Sequence, residues 1–344
     1  MLKTAPVAEY MKIRRYVMNQ IHKAQGKSVQ IPTSVTLAKK FGVSRQTVSK
    51  AMKQLTRDGY IIGKPGLGSF TNPSKEEGSP GMSKLPIIGV LISDGMCVHF
   101  NKYLGKMYAS IINELVDYPA IVHTLNVNSS DPDVIYKDIM NEEVDGIVWA
   151  TPRSFQYEVI RRLNDTGVTT VTAGVFVEGV NGVRFDYEKM GYEYGKILIE
   201  EGRNSIVYLA DLPPWDLPAK GIKQAYKEAG IELNENLFIT ERNMALERFK
   251  DAVSLGIPVD AVFNPLYLHS DVLGILKDAN MAKECWHLCS DITAGQEADF
   301  HGIIHHFDFT AKAREAVKLL RLQMEKNDRV ATHIKIPLEI SIAK

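Results

Sequence analysis

The side chains best equipped for chemistry in the first part of this sequence are Arg45, Gln46, Ser49, Lys50 and Lys53. They present a guanidinium, an amide, a hydroxyl and two ammonium groups at a spacing that falls on one face of a helix. Such a set reads base edges and neutralises phosphates; it is not a set that activates a nucleophile or shuttles protons. Charge distribution points the same way. Residues 1–75 hold 14 Lys+Arg and 2 Asp+Glu, a formal balance of +12, and the rest of the chain holds 27 and 39, a balance of −12. A net charge of zero therefore conceals a basic head on an acidic body, and counterion release from duplex DNA is the chemistry that such a head serves.

The elements that must position these groups are legible in the stretch 31–70. Leu37, Ala38 and Phe41 fall on one face of a first short helix, and Val48, Ala51, Met52 and Leu55 on one face of a second. Gly42-Val43 turns the chain, Ser44 is placed to cap the second helix, and Asp58-Gly59 ends it. Tyr60-Ile61-Ile62 and Ser69-Phe70-Thr71 alternate as short strands about a tip at residues 63–68, whose three glycines permit positive φ and close approach to a phosphate or minor groove. The pattern predicts a winged helix-turn-helix, which lays one helix in the DNA major groove. The candidate DNA contacts are Thr33 and Ser34 before and at the first helix, then Ser44, Arg45, Gln46, Thr47, Ser49, Lys50 and Lys53. Lys64 and Gly66 are the candidates on the wing.

The residues Ile31-Pro32, Leu37-Ala38, Phe41 to Arg45, Thr47-Val48, Ala51, Leu55, Gly59 and Gly66 to Phe70 resemble the GntR-type DNA-binding domain. In that family an acidic-basic pair commonly follows the Pro-Ser start of this helix, and a second arginine follows the Thr-Val of the reading helix. Here those places hold Ser34, Val35 and Ser49. Arg45 keeps the remaining reading arginine, which the resemblance places on a base edge, often guanine. No operator sequence carries over.

Across the whole chain, 45% hydrophobic and 24% charged residues over 344 positions describe an ordinary globular protein, long enough for a small head and a large body. No run of eighteen apolar residues suggests a membrane span, and no basic segment followed by an apolar one suggests a signal peptide. Three cysteines, an odd number, suggest reduced thiols and a cytoplasmic location. Cys285, His287 and Cys289 are explained by alternation in a buried strand, and no second pair completes a zinc site; no cofactor is expected. Residues 73–85 are rich in Pro, Gly, Ser and charge and form a linker that spans up to about 45 Å when extended. The expected domains are a head at 1–72, this linker, and a body at 86–344.

The body alternates buried apolar runs with amphipathic helices. Strands are expected at 87–92, 120–125, 146–150, 168–172, 205–210, 261–263, 287–289 and 302–305. Helices are expected around 104–115, 134–140, 157–163, 187–201, 218–229, 244–255, 268–280 and 309–326. The expected class is α/β, a winged helix-turn-helix followed by a two-lobed, doubly wound parallel-sheet domain. Ile88 to Ile92, Val144 to Val148, and Val183 to Asp186 followed by Gly191, Gly195 and Gly202 are similar to LacI/GalR-type sensor domains, as are Gly221, Ala225 and Ala229-Gly230. That fold is periplasmic-binding-protein-like, type I. Joined to a GntR-type head, the order resembles the arabinose-repressor-type regulators of some bacteria.

The resemblance implies a small carbohydrate bound between lobes at the carboxyl ends of strands. The side chains standing there are Asp94, Phe100 and Asn101 after the first strand, Thr151 and Arg153 after the third, and Asp186. Further along come Trp215, Asn264, Tyr267, Asp291 and His306. Carboxylates and amides suit sugar hydroxyls, and aromatic faces suit the C–H side of a pyranose. Each has a structural alternative: Phe100 and Tyr267 as packed hydrophobes, Arg153 as a solvated helix start, Asp186 as a helix N-cap. His305 and His306 cannot both face inward on one strand. The family's ligand-forking arginine, three residues before Gly221, is Pro218 here.

The implied protein is a homodimeric, cytoplasmic transcription repressor that binds double-stranded operator DNA and responds to a carbohydrate. A sugar-processing α/β enzyme on a DNA-targeting head and a ligand-blind DNA-binding protein are the alternatives. The first lacks any Gly-x-Gly-x-x-Gly, phosphate-loop, Gly-x-Ser-x-Gly or His-Glu-x-x-His signature.

Overall fold

The structure is a computed structural model that describes residues 13–14, 16–18, 20–21, 24, 27–75, 85–92, 102–127, 129–210, 216–240, 244–264, 268–294, 301–326 and 330–343. In the head, α1 (Ser34–Phe41) begins where the Thr33 hydroxyl accepts the Thr36 N–H at 3.2 Å, and it stops at Gly42, whose φ of +64° is left-handed. Then α2 (Arg45–Arg57) begins where the Ser44 hydroxyl accepts the Thr47 N–H at 3.1 Å. Its Val48, Ala51, Met52 and Leu55 are buried against Leu37 of α1, together with Ile13, Val17, Ile31 and Ile61. Burying each of the larger side chains stabilises the head by about 1.5–3 kcal/mol, which fixes the rotation of α2 and turns its polar side outward.

The wing pairs β1 (Ile61–Lys64) with β2 (Gly68–Thr71) in antiparallel register, Ile61 opposite Thr71 and Lys64 opposite Gly68. Both strands reach further toward the tip than the sequence suggested. Gly63 lies within β1 at ordinary φ, and only Gly66 and Gly68, at +74° and +100°, use the left-handed region. Gln30 bridges to Phe70 and adds a third short edge.

Beyond the head the chain carries two six-stranded sheets. The first is built from β3 (Ile87–Ile92), α3 (Lys102–Leu115), β4 (Ile121–Asn126), α4 (Pro132–Asn141), β5 (Gly146–Ala150), α5 (Tyr157–Asp165), β6 (Thr169–Ala173) and β7 (Asn181–Phe185). Helix α6 (Tyr187–Glu200) leads to the second sheet. That sheet is built from β8 (Ile206–Leu209), α7 (Asp216–Glu228), β9 (Phe238–Ile239), α8 (Ala245–Ser254), β10 (Ala261–Phe263), α9 (His269–Asp278), β11 (Trp286–Ser290), the single turn α10 (Asp291–Ala294) and β12 (Gly302–His306). Helix α11 (Phe309–Lys326) and strands β13 (His333–Ile336) and β14 (Glu339–Ala343) complete the chain. The sheets run β13-β7-β6-β5-β3-β4 and β14-β12-β11-β10-β8-β9. In each, the five main strands follow the order second-first-third-fourth-fifth of a doubly wound fold, and the neighbours among them pair in parallel. Strand β14 is the antiparallel exception, pairing with β12.

The chain divides into two compact units, residues 1–183 with 313–333, and residues 184–312 with 334–344. In the first, Leu91, Ile147, Trp149 and Val159 are among the buried side chains of the body's core. In the second, Val207, Phe249, Val262 and Leu276 have the same role. There α6 and α7 meet at backbone distance. A Cβ on Gly191 would lie 2.0 Å from the Pro218 carbonyl oxygen, and one on Gly221 would lie 2.1 Å from that of Glu188. Gly191 and Gly221 are therefore the points where the two helices touch without side chains between them.

Candidate functional site

The head presents a basic outer face. Arg45, Gln46, Lys50 and Lys53 are exposed on α2, and Thr47 and Ser49 are half-buried. Ser44 and Thr33 both serve as N-caps, Ser44 with its hydroxyl 2.9 Å from that of Thr47, so their oxygens already have partners within the protein. Ser34 opens α1 half-buried. Helix α2 thus begins on a fixed cap, with its unsatisfied N–H groups and positive dipole end beside Arg45. On the wing, Gly66 is exposed, and Lys64 lies over the Phe70 ring at 4.5 Å with its ammonium 3.4 Å from the Ser28 hydroxyl. Sequence reasoning passed over Gln30, whose amide N–H donates to the Leu67 carbonyl at 2.7 Å and braces the tip.

In the first unit, Thr151 and Arg153 follow β5, one of the two strands flanking the point where strand order reverses. A crevice forms at such a point in doubly wound sheets. Thr151 has φ +51°, and its N–H donates to the Ala173 carbonyl at 3.3 Å. A β-branched residue rarely adopts this conformation, and strain of this kind collects at ligand-holding positions. Arg153 is exposed, and its N–H donates to the Gln156 side chain at 2.8 Å, which starts the following turn. A groove of about 510 Å³ also runs along the edge strand β4 and α4, lined by His123, Asn126, Asp138 and Glu142 among others. None of the sequence-predicted ligand residues lines it.

In the second unit, Asn264 follows β10 and is buried at 5% exposure, and Asp291 follows β11. One Asp291 carboxylate oxygen is buried with no partner among the described residues. Such an orphaned acceptor at a strand end accepts a hydroxyl donor readily. His306 ends β12, and its Nε2 is 2.7 Å from the Ser341 hydroxyl of β14. Its neighbour His305 is buried beneath, as alternation requires.

Asp186 was expected to favour a ligand. It is the N-cap of α6 and lies 3.4 Å from the Lys335 ammonium, which is itself 2.7 Å from Glu188. The Lys335 hydrogen bond holds the Glu188 carboxyl below its ordinary range. Asp94, Phe100, Asn101, Trp215 and Tyr267 lie outside the described residues.

Burial is the leading influence on three groups of the second unit, His287, His305 and Cys285. It lowers His287 to about 4, with help from His269 and His301, and His305 to about 3, with help from His306. It pushes the Cys285 thiol up to about 12, so that thiol is an inert core group beside β11.

This geometry defines a helix-turn-helix head joined to an α/β body with the two-lobed parallel-sheet architecture of LacI-type regulators and periplasmic-binding-like proteins. Comparison with known proteins agrees. The HTH_11 family, described as an HTH domain, matches residues 30–69. The chain is 26% identical over 215 residues to the arabinose metabolism transcriptional repressor of Halalkalibacterium halodurans, covering 59% of this chain and 56% of that protein. It is 30% identical over 74 residues to the histidine utilization repressor of Klebsiella aerogenes, 21% of this chain and 31% of that one. The matches thus span about half and a third of these relatives' lengths. A solved transcriptional regulator CelR–cellobiose complex superposes with a TM-score of 0.65 at 15% identity, over 91% of this chain and 99% of that one. No helix among the described residues is long and apolar enough to cross a membrane.

Proposed function

We propose that the chain is a sequence-specific DNA-binding transcription repressor whose operator affinity is set by a small carbohydrate. Its GntR-type head occupies residues 1–72, its linker 73–85 and its sensor 86–344, and it works in the cytoplasm as a homodimer. The observation that carries the DNA-binding reading is the exposed Arg45, Gln46, Lys50 and Lys53 face of α2, held on the Ser44 cap in a head of formal charge +12. Arg45 forks onto a base edge, and Lys50 and Lys53 take phosphates. Two heads related by a two-fold axis read half-sites a helical turn or more apart.

The carbohydrate reading is supported in each unit by itself: Thr151 and Arg153 offer a hydroxyl and a guanidinium at a strand end of the first, and Asn264 and Asp291 an amide and a carboxylate at strand ends of the second. It is supported also by the arabinose-metabolism and cellobiose names of the similar proteins. The effector changes DNA affinity only in so far as it prefers one of the protein's two states.

A thermal-shift screen of mono- and disaccharides tests the sensor, because a ligand of the native state raises the melting temperature by mass action. The expected result is a shift with one sugar and weaker duplex binding in its presence. No shift with any sugar, together with sugar-independent duplex binding, refutes the effector.

A further inference from the structure

The wing tip is built to point one aliphatic side chain away from the protein. Between the strands stand Pro65, Gly66 and Leu67, and none of them, nor Gly68, carries a polar side chain. Leu67 is 63% exposed. Its backbone is held from both sides: its N–H donates to the Lys64 carbonyl at 3.0 Å, and its carbonyl accepts from Gln30 at 2.7 Å. Gly66 at φ +74° and Gly68 at φ +100° set the turn. A Cβ on Gly66 would meet nothing within 4 Å, so that flank is open.

The Lys64 ammonium, at the base of the tip, is folded back over Phe70 and Ser28. Residues 65–68 themselves therefore offer no side-chain hydrogen bond to a base edge. They offer an isobutyl group on a braced turn, behind a basic helix. Apolar groups presented in this way enter the minor groove at a base step, partly unstack it and bend the duplex.

Resting on the DNA-binding reading above, we propose that Leu67 is an apolar wedge that enters the minor groove beside the α2 contact and makes the protein select for a deformable step. Pyrimidine–purine steps such as TA and CA unstack most easily, so they are favoured at that position without any hydrogen-bonded readout.

The experiment uses the full-length chain and a library of duplexes randomised over about 30 base pairs, enough for two half-sites. Bend angle is measured on the selected duplexes by end-to-end energy transfer, and unstacking by 2-aminopurine fluorescence at the step flanking the α2 footprint. The wild type is expected to enrich TA or CA there and to bend the duplex. Leu67→Ala loses the bend, the fluorescence change and about tenfold in affinity, the order that losing a buried leucine side chain brings. Leu67→Met retains them. Replacing the step by a stiff A-tract brings wild type and Leu67→Ala to equal affinity.

Equal bend and affinity for wild type and Leu67→Ala on the selected site overturn the wedge and leave the DNA-binding reading standing. Selection of no duplex by the wild type overturns both. Leu67 is exposed, so unchanged melting of Leu67→Ala verifies that the fold is intact.

Discussion

The Tyr194 hydroxyl of α6 lies 2.5 Å from His305 Nδ1 of β12, and both side chains are buried. The second nitrogen of that imidazole has no partner among the described residues. Charging the ring would therefore place a cation in an apolar core with one hydrogen-bond partner. Burial accordingly lowers His305 to about 3 and His287 to about 4, from an ordinary 6.5.

A pH dependence follows, with a definite sign. Below about pH 6.5 the unfolded chain protonates both imidazoles while the folded chain withholds those protons. The stability from keeping them neutral is complete above that pH. It declines as pH falls, by ~1.4 kcal/mol per unit for each ring, until the folded values of about 4 and about 3 are passed. Urea midpoints measured from pH 7.5 to 4.5 are expected to drop, and His287→Leu is expected to flatten the curve by one ring's share. A flat wild-type curve contradicts this account.

On the reading helix, capping and base contact separate experimentally. Ser44→Ala removes the acceptor of the Thr47 N–H and costs the head ~1 kcal/mol, visible in its melting. Arg45→Ala leaves melting unchanged, weakens specific duplex binding by ~1–3 kcal/mol and relaxes one base position. Lys53→Ala weakens all duplexes alike and lowers the salt slope by about one. Fluorescence anisotropy across a salt series distinguishes the three, and unchanged specific affinity in Arg45→Ala removes that residue from base reading.

Two glycines give opposite signs on the same substitution. Gly221→Ala sets a methyl group against the Glu188 carbonyl, which cannot retreat as a side chain would, and costs ~1–3 kcal/mol or more. Gly274→Ala in α9 meets nothing within 4 Å and gains ~0.5–1 kcal/mol of helix stability. Equilibrium melts of both variants check the pair. A stabilising Gly221→Ala would mean that α6 and α7 do not pack at backbone distance.

Thr151 holds a left-handed conformation that glycine adopts without cost. Thr151→Gly is expected to keep or raise stability by up to ~1 kcal/mol, since strain relief opposes added chain entropy. It should abolish the sugar-induced thermal shift. A retained shift would show that neither the strain nor the hydroxyl serves the ligand.

Most of the fold was legible where hydrophobic period and caps agree. The pattern Val48, Ala51, Met52, Leu55 behind Ser44 gave α2 and its buried face, and continuous apolar runs gave β3, β5 and β10 to the residue. Strand β7 was given no bounds, because Asn181, Gly182 and Arg184 break its apolar run. Strands β9, β13 and β14 were not legible. Of these three, β9 is two residues long. The others alternate in period two at exposed edges, HIKI and EISIA, with no buried run to mark them. At the strand ends the sequence placed Thr151, Asn264 and Asp291 correctly after their strands. It could not show the strain at Thr151 or the Lys335 partner of Asp186, because Lys335 lies about 150 residues downstream and reaches Asp186 only through the folded chain.

The interleaving of the two units bears on how the chain can be made. The second sheet acquires its β14 edge only from residues 339–343, and the first unit needs residues 313–333. On a ribosome, the amino-terminal head can fold once its own contiguous residues emerge. The body must wait until residues 313–343 have emerged, exposing unpaired parallel strands for the time of their synthesis. Nascent-chain occupancy by chaperones should therefore rise after the head and fall only once residues 339–343 are available, and a stop codon near position 330 should spare the head's melting transition while removing that of the body.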